Sequence, residues 1–507
     1  MSSYPTSSFS SSRAIFDSLV DELSGEESSD LDHGELERRV KEGGLALMRA
    51  LMQDHLDLRA EREKRSSRPM RGVDGELRTE RRPSSRQLGT LFGRVTVHRL
   101  ALVRHGITGG LRPLDAHLNL PVGVYSHGVQ REVAWGVART SYDVMLADLR
   151  RTTGATIAKR QAEELIVSIT SDFEDYYLDQ PPAESSPEHL VVMSFDGAGV
   201  VMRPEGLRAE TRNRAKKTRR RSTAETAAAT RDRSARRNRK RMAEVAAVFD
   251  LQAVPRTPED INRELRRSGP HKPRPRAENK RVWASLARPI QDVVDEAFVE
   301  AWNRDDKGLR RWVAIVDGNE DQLRRIHAMA ENYGVEVTIV VDFIHVLGYL
   351  WKAGKALAGD DVSSVEAWVT QRSSRILYGE ASTVAAAMRR SATARGLVGT
   401  AREAVDDCAR YLLNHKAYLR YHEYLRDGLP IASGVIEGAC RSLVRDRMDI
   451  TGARWGLRGG EAVFKLRSLA ASGDLDRYLD YHAHRELQRN HLAKFDEHEL
   501  VELRAAA

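Results

Sequence analysis

The stretch RRWVAIVDGNED at residues 310–321 decides the predicted fold, because a short apolar run ends there in an aspartate and a glycine. A helical pattern, QLRRIHAMAENYG, follows it directly. The next segment, VEVTIVVDFIHVLGYLWKAGKAL (335–357), predicts another strand that runs into a helix. A strand, a helix and a second strand in this order indicate an α/β fold.

Further strands are predicted upstream of this unit, in three apolar segments. They are HLVVMSFDGAGVVMRP (189–204), MAEVAAVFDLQAVP (242–255) and KRVWASLARP (280–289). We therefore expect an α/β core over 189–357. The purely helical pattern of 358–430 predicts an all-helical insertion, and 431–490 is expected to form the C-terminal part of the core.

The N-terminal part has a different character. Eleven serines among the first 30 residues predict a disordered tail over 1–30. Residues 31–180 are mainly helical in pattern, although 67–87 predicts a polar loop and LGTLFGRVTVHRLALV (88–103) predicts one or two strands. The Pro/Ser-rich segment DQPPAESSPEH (179–189) is the best linker candidate.

A helix-turn-helix is predicted near 141–170, in SYDVMLADLRRTTGATIAKRQAEELIVSIT. Thr153 and Gly154 supply the turn. In this interpretation Arg160 and Gln161 reach base edges and Lys159 contacts a phosphate, which makes residues 31–180 a DNA-binding region. A plain helical hairpin is the alternative.

Charge is concentrated in one insert. The formal net charge is +8, and Arg208–Arg241 holds 15 Lys and Arg against three acids, so this segment carries +12 and the rest of the chain −4. We predict that the basic insert (204–241) contacts nucleic acid, in preference to being a solvated charge run. The candidate contacts are Arg214, Lys216, Lys217, Arg219, Arg220, Arg236 and Arg237.

Only two cysteines occur, Cys408 and Cys440, and they form no Cys-x-x-Cys pair. This argues against zinc ribbons and disulfide frameworks and favours a reducing cytosol. No run of about 18 apolar residues is present, and the N-terminus lacks the pattern of a secretory signal. We therefore expect a cytoplasmic chain without a membrane span.

Two aspartates, Asp196 and Asp317, are each predicted at the end of an apolar strand, and a glycine follows each. Carboxylates are the ligands that Mg²⁺ and Mn²⁺ prefer. Two such ions, roughly 3.5–4 Å apart, activate the attacking and leaving oxygens of a phosphodiester. A single Asp-Gly at a strand end often only begins a turn. The pair, together with the later acid Glu437, favours a site for two ions.

Several arginines follow Glu437 closely: Arg441, Arg445, Arg447 and Arg454. We expect them to hold phosphates near the metal site. Trp455 has two equally supported interpretations, stacking on an unpaired base or packing between its helix and the core.

Four segments carry a family resemblance: SFDGAGV, VAIVDGNEDQL, VDFIHVLGYLW and SGVIEGACRSLVRDRMDITGARWGLRGGEAVFKLRSL. They resemble the ISKra-type insertion-sequence transposases, bacterial relatives of the Mutator-like group. RPLDAHLNLPVGVYSHGVQREVA and TGATIAKRQAEEL are similar to the N-terminal half of these proteins. The resemblance covers roughly residues 88–485.

The resemblance implies a ribonuclease-H-like catalytic core, a DDE triad of Asp196, Asp317 and Glu437, and binding of terminal inverted repeats and target DNA. It also implies two-metal hydrolysis and strand transfer, with 358–430 as the helical insertion before the glutamate. Asp342 and His345 match an Asp-x-x-His motif of the Mutator-like group, although a histidine at a helix start often has only a structural role. Many relatives carry N-terminal cysteine pairs that this chain lacks, so we predict no structural zinc.

Two other functions stay open at this stage. One is a catalytically silent, domesticated DNA-binding protein, and the other is a two-metal nuclease that does not transfer strands. By analogy with transposases, which pair two element ends, we expect a homo-oligomer on DNA and an association with the bacterial nucleoid.

Overall fold

The computed structural model describes residues 9–181, 184–222, 239–266, 275–359, 361–450 and 453–500, with the backbone alone over 216–222. The chain forms two compact units. The first comprises Met1–Asp179 together with Gly473–Ala507, and the second is Gln180–Ser472. The break after Asp179 falls at the start of the predicted linker.

The first unit combines helices with two β-hairpins. Strand β1 (Met70–Arg71) pairs with β2 (Leu77–Arg78), and β3 (Glu80–Thr90) pairs along its whole length with β4 (Gly93–Val103). The α-helices are Ser10–Ser24, His33–Ser66, Pro113–His117, His127–Arg139, Tyr142–Thr152, Lys159–Ile169, Phe173–Asp179 and Leu475–Glu486. Shorter 3₁₀ and π turns are Glu26–Asp30, Thr170–Asp172, Leu487–His491 and Leu492–Lys494.

The prediction of a disordered tail over 1–30 is wrong for the part of it that the structure describes. Ser10–Ser24 is a helix that packs on the helix His33–Ser66, with Leu19 against Gly43. Apolar side chains recur there at four-residue spacing and are half-buried: Ile15, Leu19 and Leu23. Tertiary packing of this stripe outweighs the low helix propensity of the serines between them.

The polar loop predicted over 67–87 is also wrong, because β1, β2 and most of β3 lie in it. Strand β3 is largely exposed, and only Leu88 and Thr90 are buried in it. Its side chains therefore lack the apolar alternation that reveals a half-buried strand. The pairing with β4, whose Val95 and Val97 are buried, holds it in place instead.

Two helices, Tyr142–Thr152 and Lys159–Ile169, lie where the helix-turn-helix was predicted, and a short connection separates them. A plain helical hairpin has the same two elements, so the helix-turn-helix stays a prediction. The expected extent of the core is corrected at its C-terminal end. Residues from Gly473 onward belong to the first unit, where His482 forms a 2.6 Å contact with Asp172. An amphipathic pattern predicts a helix but not the surface on which it packs. The boundary between the two units at Gly473 could therefore not be predicted from the sequence.

The second unit is built around a five-stranded mixed sheet in the order β7-β6-β5-β8-β9. Its strands are β5 (Leu190–Val201), β6 (Lys240–Leu251), β7 (Glu278–Ser285), β8 (Trp312–Val316) and β9 (Val337–Val341). The first three form an antiparallel meander, and β8 and β9 run parallel to β5. This confirms the α/β fold and the predicted strands.

Helices cover the sheet and explain its apolar strands. Every residue of β8 is buried, as are the first six of β5, which is the pattern of strands covered on both faces. Ile290–Arg304 packs on β5 and β6, and Leu457–Ser472 packs on β7. The other helices of the α/β part are Ala209–Ser222, Pro258–Arg266, Glu320–Tyr333, Phe343–Ala358, Gly434–Ala439 and Asp446–Met448, with a π-helical turn at Cys440–Arg445 and a 3₁₀ turn at Pro204–Gly206.

The predicted helical insertion, 358–430, contains helices joined by turns and no strand among its described residues. Its helices are Val362–Leu377, Ala381–Ala394, Gly399–Asn414 and Tyr421–Arg426, with a 3₁₀ turn at Lys416–Tyr418. The helices Val362–Leu377 and Gly399–Asn414 pack against Phe343–Ala358, which follows β9. The insertion is therefore anchored beside the carboxyl ends of the parallel strands. Among the described helices, none is long and apolar enough to cross a membrane.

Candidate metal centre

Three parallel strands deliver polar residues to one edge of the sheet. The pairing of β5 with β8 ends at Ser194 and Ile315, and that of β8 with β9 ends at Val316 and Val341. Asp317 follows β8 directly. Asp196 lies two residues beyond the last β5–β8 pair, but it is not at a strand end as expected, because β5 continues beside β6 to Val201. The carboxyl edge of a parallel sheet is where such folds bind ligands.

Asp196, Asp317 and His345 converge at this edge. One carboxylate oxygen of each aspartate and one imidazole nitrogen lie within 4.8 Å of one another, and all three residues are half-buried. Two carboxylates and an imidazole are a donor set for a divalent transition metal, and the carboxylates alone suit Mg²⁺. The spacing lets a single ion contact all three groups.

The aspartate oxygens keep capacity for a metal. Asp196 Oδ1 accepts a hydrogen bond from the amide of Gly197 at 2.7 Å. Asp317 Oδ1 accepts one from the amide of Asn319 at 2.9 Å, and Asp317 Oδ2 accepts none from any described residue. The residues present therefore fit a metal site, because each carboxylate is oriented by the backbone and still offers lone pairs.

Asp342, the first residue of the Asp-x-x-His pair, orients the helix that carries His345. Its Oδ1 accepts from the amide of Ile344 at 2.7 Å as an N-cap, and its Oδ2 accepts from the amide of Ser433 at 3.2 Å. Burial raises the pKa of Asp342, against the lowering effect of these two amides. The two residues of the pair thus have different positions: Asp342 caps the helix, and His345 lies with Asp196 and Asp317 in the candidate ligand group.

Glu437 lies outside this group of three. Its helix, Gly434–Ala439, is capped at the N-terminus by Ser433, and the Glu437 side chain is exposed. The helix contacts β5 and β6, and the charge of Glu437 acts on Asp342 and on Cys440. The role of Glu437 as third acid stays a prediction.

Cys440 was not recognised from the sequence. Its thiol donates a hydrogen bond of 3.2 Å to Asp196 Oδ2. Burial raises the pKa of the Cys440 thiol, and the neighbouring Asp196 carboxylate raises it further. The group is therefore a neutral donor that orients the first aspartate.

The helical insertion holds the loop after β8. Tyr411 donates from its hydroxyl to the carbonyl oxygen of Asp317 at 2.7 Å, and His415 Nε2 lies 2.9 Å from the carbonyl oxygen of Gly318. Gly318 has a φ of 90°, and His415 packs where a β-carbon would lie. Tyr349, four residues after His345, stacks on Tyr411 with ring centroids 4.1 Å apart. Tyr411 and His415 are four residues apart in sequence, a helical spacing that was visible, but nothing linked it to Asp317.

A further acid, Glu244, lies on β6 opposite Gly197. Burial raises the pKa of Glu244; Arg208 acts against this rise, and the negative charges of Asp317 and Asp196 add to it. The carboxyl edge therefore has a concentration of negative charge, which a divalent cation would relieve.

The predicted DNA contacts of the helix-turn-helix have partners within the first unit. Lys159 forms an ion pair with Asp143 at 2.7 Å, Arg160 with Glu164 at 3.1 Å, and Gln161 accepts from the Tyr125 hydroxyl at 2.7 Å. Arg160 is 89% exposed in its side chain. Exposed ion pairs of this kind contribute little to folding stability, so a phosphate can compete for their basic side chains.

The basic insert is described only in part. Arg214 lies exposed on the helix Ala209–Ser222. Lys216, Lys217, Arg219 and Arg220 belong to the same helix, but their side chains lie outside the described part of the structure. Arg236 and Arg237 fall outside the described residues altogether.

The residues after Glu437 divide into exposed arginines and a buried tryptophan. Arg441, Arg445 and Arg454 are exposed. Trp455 is buried, donates from Nε1 to the carbonyl of Met448 at 3.2 Å, and exchanges backbone hydrogen bonds with Val201 and Arg203. The interpretation of Trp455 as a base-stacking residue is therefore wrong, and the packing interpretation is confirmed. Arg447 is buried as well, with its guanidinium 4.9 Å from the Trp455 ring centre.

Comparison with known proteins adds no relative, since no family model matches the chain and no curated protein matches it significantly.

Proposed function

We propose that the chain is the DNA transposase of a bacterial insertion sequence, which cleaves and joins phosphodiesters at a two-metal site. The observation that carries the proposal is the convergence of Asp196, Asp317 and His345 at the carboxyl edge of three parallel strands. The resemblance of the surrounding segments to ISKra-type transposases supports it independently of the geometry.

A ribonuclease-H-like core is part of this proposal. An antiparallel meander of β5, β6 and β7 followed by the parallel strands β8 and β9 supports it. The helices between β7, β8 and β9 and the aspartate on the first strand support it as well. In this interpretation the all-helical insertion enters the core between β9 and the glutamate helix.

The side chains of the site have separate tasks. Asp196 and Asp317 hold the divalent ions, Mg²⁺ or Mn²⁺, which when bound activate the attacking and leaving oxygens of the phosphodiester. His345 adds a nitrogen ligand, which favours Mn²⁺ over Mg²⁺ because Mg²⁺ takes oxygen ligands. Glu437 is one helical turn before Cys440, the residue that contacts Asp196. Residues three apart share a helix face, so we retain Glu437 as the further acid.

The partners follow from the same proposal. Terminal inverted repeats bind the helix-turn-helix through Lys159, Arg160 and Gln161. The basic insert and the exposed Arg441, Arg445 and Arg454 hold phosphates of the element end or the target DNA. We further propose that the protein acts as a homo-oligomer on DNA, within the bacterial nucleoid.

The test uses duplexes taken from the DNA that flanks the gene, incubated with the full chain and Mg²⁺ or Mn²⁺. Nicked strands and joined products are separated on denaturing gels. Asp196→Asn and Asp317→Asn should lower nicking about a hundredfold or more, while DNA binding measured by gel shift stays within about twofold. Glu320→Gln is the matched control, because Glu320 is an exposed acid three residues after Asp317.

Each outcome selects one function. Nicking with joined products supports a transposase, and hydrolysis without joining supports a nuclease. Tight binding with neither activity indicates a silent DNA-binding protein. Loss of DNA binding together with cleavage in the aspartate variants would make the two carboxylates structural.

A further inference from the structure

A basic cavity lies in the first unit, apart from the predicted DNA contacts. It has a volume of about 430 Å³ and opens between the C-terminal half of the helix His33–Ser66 and the helix Pro113–His117. Its charged and titratable lining residues are Arg59, Arg62, Arg68, Glu63 and His117. Basic side chains therefore outnumber acidic ones in its wall.

The single lining acid, Glu63, bonds to backbone amides. Glu63 Oε2 accepts from the amide of Leu100 at 2.8 Å, and Oε1 accepts from the amide of Leu114 at 3.0 Å. Burial raises the pKa of Glu63, and the two amides act in the opposite direction. The carboxylate therefore serves to tie the long helix to neighbouring backbone rather than to pair with a guanidinium.

The arginines differ in their partners. Arg68 is held by Glu499, with Nη2 to Oε2 at 2.6 Å and Nη1 to Oε1 at 3.3 Å. Arg59 forms no hydrogen bond or ion pair with any residue that the structure describes. An arginine without a counter-charge in a cavity wall is available to an anionic ligand, because its planar fork matches the oxygens of a phosphate.

His117 provides a second, independent sign of a missing ligand. Its Nε2 is buried and has no hydrogen-bond partner in the described structure. Burial lowers the pKa of His117, and the nearby charge of Arg59 lowers it further. A buried polar atom without a partner is costly, and because His117 lines the cavity, a bound ligand with acceptor oxygens would satisfy its ring N–H.

We infer that this cavity binds a phosphate group through Arg59 and His117. Arg59 supplies two parallel N–H donors, and His117 supplies one from Nε2. The phosphodiester backbone of DNA is the source that fits a transposase, and this assignment rests on the proposed function. Free inorganic phosphate or a nucleotide offers the same chemistry, so the experiment separates the two sources.

The first arm measures the binding of inorganic phosphate to the full chain by calorimetry and by the rise in melting temperature, at constant ionic strength and without metal. Arg59→Gln should weaken phosphate binding about tenfold or more. His117→Asn should weaken it less, and Arg59→Lys should restore part of it. Arg38→Gln is the matched control, because Arg38 lies on the same helix, is 63% exposed and pairs with Glu35.

The second arm measures duplex binding as a function of salt. Arg59→Gln should weaken binding to related and unrelated duplexes alike and should reduce the salt slope by about 1. Loss of phosphate binding with unchanged duplex binding would assign the cavity to a free phosphate compound. Equal phosphate binding by wild type and Arg59→Gln, or no binding by the wild type, would overturn the inference. Because this arm needs neither metal nor cleavage, its result is independent of the transposase activity.

Discussion

The hydroxyl of Tyr411 donates a 2.7 Å hydrogen bond to the backbone carbonyl of Asp317, and so joins the predicted helical insertion to a candidate metal ligand of the second unit. His415, one turn later, contacts the next carbonyl, that of Gly318. These two contacts therefore fix the backbone conformation of the loop that carries Asp317.

Tyr411→Phe is expected to weaken Mn²⁺ binding by about tenfold to a hundredfold, because groups that orient a ligand contribute to metal affinity to this extent. The measurement is calorimetric titration of the full chain with Mn²⁺. Tyr418→Phe is the control, since Tyr418 lies in the same range 358–430 and its hydroxyl contacts His327 of the helix Glu320–Tyr333, which is not among the candidate metal ligands. An unchanged Mn²⁺ affinity in Tyr411→Phe would show that the loop keeps its conformation without this hydrogen bond.

Neither cysteine should react in the folded protein at pH 8. Burial raises the pKa of Cys408 to about 12, and burial with the adjacent Asp196 raises the pKa of Cys440. Only the thiolate is nucleophilic, so both thiols should be slow toward iodoacetamide. Mass spectrometry of native and urea-unfolded samples checks this. Rapid alkylation of native Cys440 would contradict its contact with Asp196.

Asp172 should make the first unit sensitive to acid. Burial raises the pKa of Asp172, but hydrogen bonds from His482 at 2.6 Å and Arg489 at 2.5 Å outweigh it and bring the pKa down to about 2. The value in unfolded chains is about 3.9. A depressed pKa gives stability that is complete above about pH 4 and is lost as the pH falls toward 2.

The matching variant is Asp172→Asn, which removes the charge and keeps the shape. At pH 6 it should lower the free energy of unfolding by about 1 to 2 kcal/mol, and at pH 3 the difference from wild type should shrink. Urea unfolding at both pH values measures this. A difference that stays constant between pH 6 and pH 3 would show that the Asp172 charge is not responsible.

Asp250→Ala should strongly destabilise the second unit. Asp250 is fully buried on β6 and accepts hydrogen bonds from Arg310 at 2.7 Å and Asn279 at 2.8 Å. Its removal leaves the Arg310 charge buried without its partner, which costs about 3 to 5 kcal/mol. Asp427→Ala, which breaks an exposed pair with Arg311 at 3.3 Å, should cost less than about 1 kcal/mol. Urea unfolding measures both variants, and similar losses of unfolding free energy in the two would contradict this account.

The sequence identified the candidate ligands individually, but it did not show which of them lie together in the structure. Asp196 and Asp317 were visible because each belongs to an apolar run with a glycine after the acid. That His345 joins them depends on the parallel register of β5, β8 and β9, which brings residues far apart in sequence to one edge. Glu437 sits on a helix whose start is tied to Asp342 through Ser433, a non-local bond that no periodicity reveals.

The same distinction explains the two errors in the N-terminal part. Ser10–Ser24 and β3 are held by partners, the long helix His33–Ser66 and β4, and not by strong patterns of their own. Local composition indicated disorder and loop there. Packing against these partners stabilises the helix and the strand instead.

The most direct test of the central claim is anomalous diffraction from crystals of the full chain grown with Mn²⁺. We predict a strong anomalous peak in contact with the carboxylates of Asp196 and Asp317 and with the imidazole of His345. The peak should vanish in Asp317→Asn and persist in Glu320→Gln. Mn²⁺ peaks found only elsewhere, in crystals of protein that cleaves DNA in solution, would contradict the assignment of this edge of the sheet as the metal centre.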